Sequence, residues 1–146
     1  MKRLLLSCML AVLFAVSSTA GAASAAAPAQ ARCVGRLGKT LDCPIPLRFR
    51  RGSYGVLVNG TFPRDADTRY YSVAARANQR MTIAFHGDGL MRGYVILPQG
   101  GTDGPFHGHG NTIRLPQNGV YVIQVGQDTQ ADNPWHGNYT LSVLVR

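Results

Sequence analysis

Gly119-Val120-Tyr121-Val122-Ile123-Gln124-Val125 and Gly137-Asn138-Tyr139-Thr140-Leu141-Ser142-Val143 are the stretches that decide the fold. In each, large apolar side chains recur at every second position after a glycine. That period matches a strand with one buried face and cannot line one face of a helix. Tyr121, Ile123 and Val125 are therefore expected on one side of their strand, and Tyr139, Leu141, Val143 and Val145 on one side of theirs. Val120 and Val122 are apolar in the other phase as well, which predicts a central strand covered on both faces.

Working outward, Met81, Ile83 and Phe85 form a third alternating set, which stops at Gly87-Asp88-Gly89. Tyr94 with Ile96, or else Val95 with Leu97, form a fourth, and both phases remain open because both are apolar. Further short apolar runs cover 45–51, 54–62, 70–75 and 112–115, each closed by Gly, Pro, Asn or a polar stretch. The total is about eight strands at a spacing of roughly ten residues, which describes an all-β sandwich or barrel. Two long connections interrupt the series. Residues 99–110 hold five glycines and the His107-Gly108-His109 pair, and residues 127–137 hold Asp128, Asp132, Asn133, Trp135 and His136. Long loops on a rigid sheet frame are where binding residues concentrate.

Ahead of this domain stands an export signal. Met1-Lys2-Arg3 is positive, residues 4–16 are almost wholly apolar, and residues 17–31 are small and Ala-rich. That is the anatomy of a secretory leader, too short to span a bilayer. Cys8 leaves with it, and Cys33 and Cys43 remain. In an oxidising compartment the pair reads as a disulfide closing residues 34–42. The expected organisation is a leader over 1–31, a disulfide-closed segment over 32–44, and a sandwich over 45–146.

Charge narrows the function. The 146 residues carry 15 Lys+Arg and 7 Asp+Glu, a net +8. All seven acids are Asp, and thirteen of the bases are Arg. Without residues 1–31 the balance is 13 − 7, or +6. Export argues against a nucleic-acid partner for this basic chain. No G-x-S-x-G, H-E-x-x-H or P-loop is present, and Ser72 and Ser142 fall in mid-strand, so no catalytic residue and no cofactor is expected. The four His with Asp88 could be read as a metal site through the H-x-H pair, against a plain polar loop; no metal is assigned. Asp65-Ala66-Asp67 reads as turn capping before it reads as a calcium site. Arg48, Arg50 and Arg51 flank Phe49 as a solvated outer face that discourages edge pairing, or as a site for acidic glycan or anionic lipid.

The ordered set Tyr71-Ser72-Val73, Met81-Thr82-Ile83, Tyr94-Val95-Ile96-Leu97-Pro98 and the two opening stretches resembles the bacterial pre-peptidase C-terminal domain family, a β-sandwich of jelly-roll type. Phe49-Arg50-Arg51-Gly52 extends the resemblance, over about 45–146, to small exported inhibitors of g-type (goose-type) lysozyme. The resemblance implies a periplasmic or secreted, non-enzymatic protein that inserts loops into the substrate cleft of a g-type lysozyme. The corresponding loops here are 60–68 and 127–138. Where the family presents Tyr from the first loop and Arg from the second, this chain offers Arg64 and Asp65, then Asp128, Thr129, Asp132, Asn133 and Trp135. These seven are the candidate partner-binding residues. The alternative is a binding module for envelope glycan, using Arg48, Arg50, Arg51, Arg64 and Trp135.

Overall fold

The computed structural model describes residues 33–63, 67–128 and 136–146. Among these residues nine strands form two sheets: β1 (Ile45–Pro46), β2 (Gly55–Phe62), β3 (Thr68–Ala75), β4 (Arg80–Gly87), β5 (Met91–Ile96), β6 (Thr102–His107), β7 (Asn111–Arg114), β8 (Gly119–Gln127) and β9 (Gly137–Val145). The five-stranded sheet runs β1-β3-β8-β5-β6 and the four-stranded sheet β2-β9-β4-β7. Every pairing is antiparallel except β1 with β3. The result is an all-β sandwich, with no helix among the described residues.

The alternating positions meet between the sheets. Tyr121, Ile123 and Val125 from β8 face Met81, Ile83 and Phe85 from β4 and Tyr139, Leu141, Val143 and Val145 from β9, and all are buried. The open phase of β5 resolves to Met91, Gly93 and Val95 inward. Phe85 explains why a glycine stands among them, because its ring occupies the space into which a Cβ at Gly93 would project. The sandwich is locked at one end by Tyr121, whose hydroxyl donates to the Gln117 carbonyl at 2.7 Å and accepts from its N–H. This is the tyrosine-corner arrangement, in which a side chain holds the entry to its own strand.

Three sequence expectations change. The run 45–51 makes only a two-residue strand, extended by one bond from the Leu47 N–H to the Ser72 carbonyl. Beyond it the chain leaves the sheet to cross to β2. The stretch 99–110 is not a plain loop, because it contains β6. That strand reads Thr-Asp-Gly-Pro-Phe-His, is exposed at all but Phe106, and shifts register against β5. An edge strand bare on both faces carries no alternation, and it can accept a proline that a central strand could not. Finally, β8 is central in its sheet yet not covered on its outer face, where Val120 is 55% exposed.

Candidate functional site

Register places four connections at one end of the sandwich. Phe62 pairs with Gly137, Gly87 with Tyr139, Thr68 with Gly126, Met91 with Gln127, and Arg92 with His107. The chain therefore leaves β2, β4, β6 and β8 and enters β3, β5, β7 and β9 at that end. The disulfide-closed segment joins them, because β1 lies parallel to β3 and begins beside Tyr71. Cys33 and Cys43 are bonded, with Cα atoms 5.4 Å apart. The Tyr70 N–H donates to the Gly38 carbonyl at 2.9 Å, which hangs the closed loop on the start of β3. Gly38 sits at φ +74 with Ile45 packed where a Cβ would be, so the contact requires glycine. Val34, Leu37 and Leu41 project from the loop, 83%, 52% and 49% exposed.

Aspartates pin the roots of these connections. The Asp67 Oδ1 accepts from the Thr68 N–H at 3.0 Å and pairs with Arg69 Nη1 at 2.8 Å. This is the turn capping expected of Asp67; Asp65, its partner in the calcium reading, lies outside the described residues. The Asp88 Oδ2 accepts from the Asn138 N–H at 2.7 Å, while the Asp88 N–H donates to the Asn138 carbonyl. That clamp fixes the start of β9. Asp128 is paired with Arg92 Nη2, and its Oδ2 lies 3.5 Å from His107 Nδ1. Its own N–H donates to the Leu90 carbonyl. Hydrogen bonding by Tyr94, and then by Asp128, holds the Arg92 guanidinium still more firmly protonated. In the disulfide loop, hydrogen bonding by Thr40 and the charge of Arg36 hold the Asp42 carboxyl below its ordinary range.

The histidines do not converge. His107 turns to Asp128, while His109 lies against His86 with ring centroids 5.6 Å apart. The H-x-H pair is thus split between two surfaces, and among the described residues no group of three or more His, Cys, Asp or Glu could hold a metal ion. Around His86 the outer face of β2, β9 and β4 forms a shallow polar hollow with Asn59, Thr61, Asp88, Asn138 and Thr140. Its hydroxyls and amides pair with one another, Thr61 with Asn138 and Thr140 with Asn59, each at 2.9 Å.

Of the seven candidate partner-binding residues, Asp128 is placed at the root of its loop with 16% of its side chain exposed. Arg64, Asp65, Thr129, Asp132, Asn133 and Trp135 lie outside the described residues. Their flanking residues, Pro63 with Asp67 and Asp128 with His136, all stand at the same end of the sandwich. Sequence reasoning missed the apolar disulfide loop as a neighbour of these connections. Only the parallel β1–β3 pairing brings it there, and two residues of strand leave no periodic signal.

No family model matches the chain, and no curated protein matches it. Solved structures do. The chain is similar to the Aeromonas hydrophila PliG, a periplasmic lysozyme inhibitor of g-type lysozyme, at 26% identity and a TM-score of 0.59, covering 70% of this chain and 96% of that one. It shares the fold of Salmonella Typhimurium PliG, at 17% identity and a TM-score of 0.54, with 70% and 97% covered. It also shares the fold of a mutant of the Escherichia coli PliG, at 17% identity and a TM-score of 0.53, with the same coverage.

Proposed function

We propose that this protein is a periplasmic, non-catalytic inhibitor of a g-type lysozyme, which it blocks by inserting the loops at one end of the sandwich into the enzyme's substrate cleft. The observation that carries the reading is the likeness to the Aeromonas inhibitor, which extends over 96% of that chain at 26% identity. The gathering of both candidate loops at one rigid end supports it, because binding loops held at fixed roots lose less conformational freedom on association. In this reading residues 1–31 are the export leader, 32–44 an added disulfide-closed segment, and 45–146 the inhibitor sandwich. Asp132 meets cationic or donor groups of the enzyme, and Trp135 and Asn133 supply contact area and hydrogen bonds; Arg64, Asp65 and Thr129 complete the rim. Asp128 acts from beneath, by holding its loop.

The test is lysis of cell walls by a g-type lysozyme in the presence of micromolar protein, with c-type and i-type enzymes alongside. Inhibition confined to the g-type enzyme is expected, and undiminished lysis overturns the proposal. Trp135→Ala and Asp132→Ala are expected to weaken inhibition; full potency in both would remove the loop assignment. Co-sedimentation with insoluble peptidoglycan, in the absence of enzyme, would instead favour a glycan-binding module.

A further inference from the structure

The arginines among the described residues are sorted by position. At the loop end Arg36, Arg69 and Arg92 each pair with a carboxylate, of Asp42, Asp67 and Asp128. At the opposite end the arginines have no side-chain carboxylate partner among the described residues. The one described acidic side chain in that half is Asp103, exposed on β6 of the other sheet.

Three of these arginines stand abreast. Arg80 opens β4 directly opposite Arg114 at the end of β7. On its other side Arg80 exchanges both backbone hydrogen bonds with Arg146, at 2.7 and 3.0 Å. Met81 and Val145 point into the core, so their neighbours Arg80 and Arg146 point outward, and Arg114 is exposed beside them. Strand spacing sets the row at about 4.8 Å per step. Like charges directly opposite in a sheet are destabilising, and here two such contacts adjoin. Arg76, in the turn before β4, and Arg51, in the turn before β2, are exposed at the same end. Beside the row, at the start of β2, lies the exposed Tyr54 at 65%, and Val120, 55% exposed, stands at the same end on the outer face of the other sheet. Tyr54 is fixed there by its carbonyl, which accepts from the Val145 N–H at 2.7 Å.

We propose that this end of the sandwich docks on an anionic phospholipid surface, with the guanidinium row on the headgroup phosphates and Tyr54 and Val120 at the level of the interface. Cations near a negatively charged leaflet gain from its surface potential, and an amphipathic tyrosine suits the headgroup region. Repulsion within the row is relieved when phosphates lie over it. The exposed apolar pair favours a lipid surface over a soluble polyanion, which would leave both in water. Docking at this end turns the loop end away from the bilayer. The inference stands on residues remote from the candidate loops and does not depend on the inhibitor reading.

The test is co-sedimentation of the exported protein with vesicles rich in phosphatidylglycerol, against vesicles of phosphatidylcholine alone. Binding to the anionic vesicles that is released by salt is expected. At about fivefold per arginine near such a surface, Arg80→Gln with Arg114→Gln lowers vesicle affinity about twenty-fivefold. The melting temperature of that variant stays the same or rises, which separates lost binding from lost folding. Tyr54→Ser weakens binding without changing its salt dependence, and Lys39→Gln, at the loop end, leaves it unchanged. Equal binding by the wild type and the double variant would overturn the proposal. So would equal binding to the neutral vesicles, or capture by an acidic polysaccharide without capture by anionic vesicles.

Discussion

The hydroxyls of Tyr71 and Tyr139 meet at 2.6 Å in the core, one from each sheet, 68 residues apart in the chain. Phe62 stacks on the Tyr139 ring, with centroids 4.4 Å apart and planes inclined by 22°. Tyr139 also fills the space over Gly60 that a side chain there would claim. A hydroxyl in this setting is tolerated only because it has a partner. Tyr139→Phe keeps the stacking and strands the Tyr71 hydroxyl, so it is expected to cost about 1–3 kcal/mol. Adding Tyr71→Phe removes the orphan, and the double variant is expected to lose less than the sum of the two single losses. Denaturant unfolding of all four proteins measures the coupling directly.

The same pair sets an alkaline limit. Burial pushes both tyrosines above their ordinary pKa, most strongly Tyr139, where the Tyr71 hydrogen bond adds to the effect. A raised folded-state pKa means that the fold prefers the neutral phenol. That preference contributes fully below the unfolded value of about 10 and is lost as pH climbs above it. Stability is therefore expected to be flat through neutral pH and to fall beyond about pH 10. The fall is expected to be shallower in the Phe/Phe double variant. Absorbance titration of tyrosinate against circular dichroism checks this: these two phenols ionise only as the fold is lost.

Gly93 and Phe85 make a second cross-sheet fit, in which the ring rests on bare backbone. Gly93→Ala is expected to destabilise by about 1–3 kcal/mol, the range for overpacking a filled core. In that background Phe85→Leu is expected to recover part of the loss, although alone it leaves a void. Thermal melts of the two singles and the double decide between steric conflict and backbone strain.

Asp128 offers a test of positioning against contact. Its carboxylate is mostly covered and engaged by Arg92 and His107, so its influence on a partner passes through the loop it anchors. Arg92→Met, which removes the anchor and leaves Asp128 in place, is expected to weaken inhibition as much as Asp128→Asn does. Inhibition titrations of both variants against a g-type lysozyme measure this. An unaffected Arg92→Met with a weakened Asp128→Asn would mean that Asp128 meets the enzyme itself.

Strands with one buried face were legible because alternation is a local consequence of burial. Met81, Ile83, Phe85, Tyr121, Ile123, Val125, Leu141 and Val143 could each be assigned a side from their neighbours alone, and all point inward. The edge strand β6 was not legible, because its residues are exposed on both faces and nothing in the sequence alternates. The short β1 was overextended, since the apolar residues Leu47 and Phe49 pack on the core without joining a ladder. In the candidate site, the loop over 127–137 was visible by length and composition, and the loop over 60–68 only through the family resemblance. Capping by Asp67 was legible because it is local, one residue from Thr68; the engagement of Asp88 and Asp128 was not, since the Asp88–Asn138 and Arg92–Asp128 contacts join residues 50 and 36 positions apart.

By itself the sequence determined an arginine-rich, all-β chain with a leader-like N-terminal stretch, a closed cysteine loop and two polar connections, because leader composition, alternation and cysteine count are properties of short windows. Tertiary structure alone decided which residues share an end. Parallel pairing of β1 with β3 carries the disulfide loop, with Val34, Leu37 and Leu41, to the side of the candidate loops. Antiparallel register sets Arg80 beside Arg114 and Arg146 at the far side. These are non-local pairings, fixed by which strands meet in a sheet and not by the residues that neighbour them along the chain.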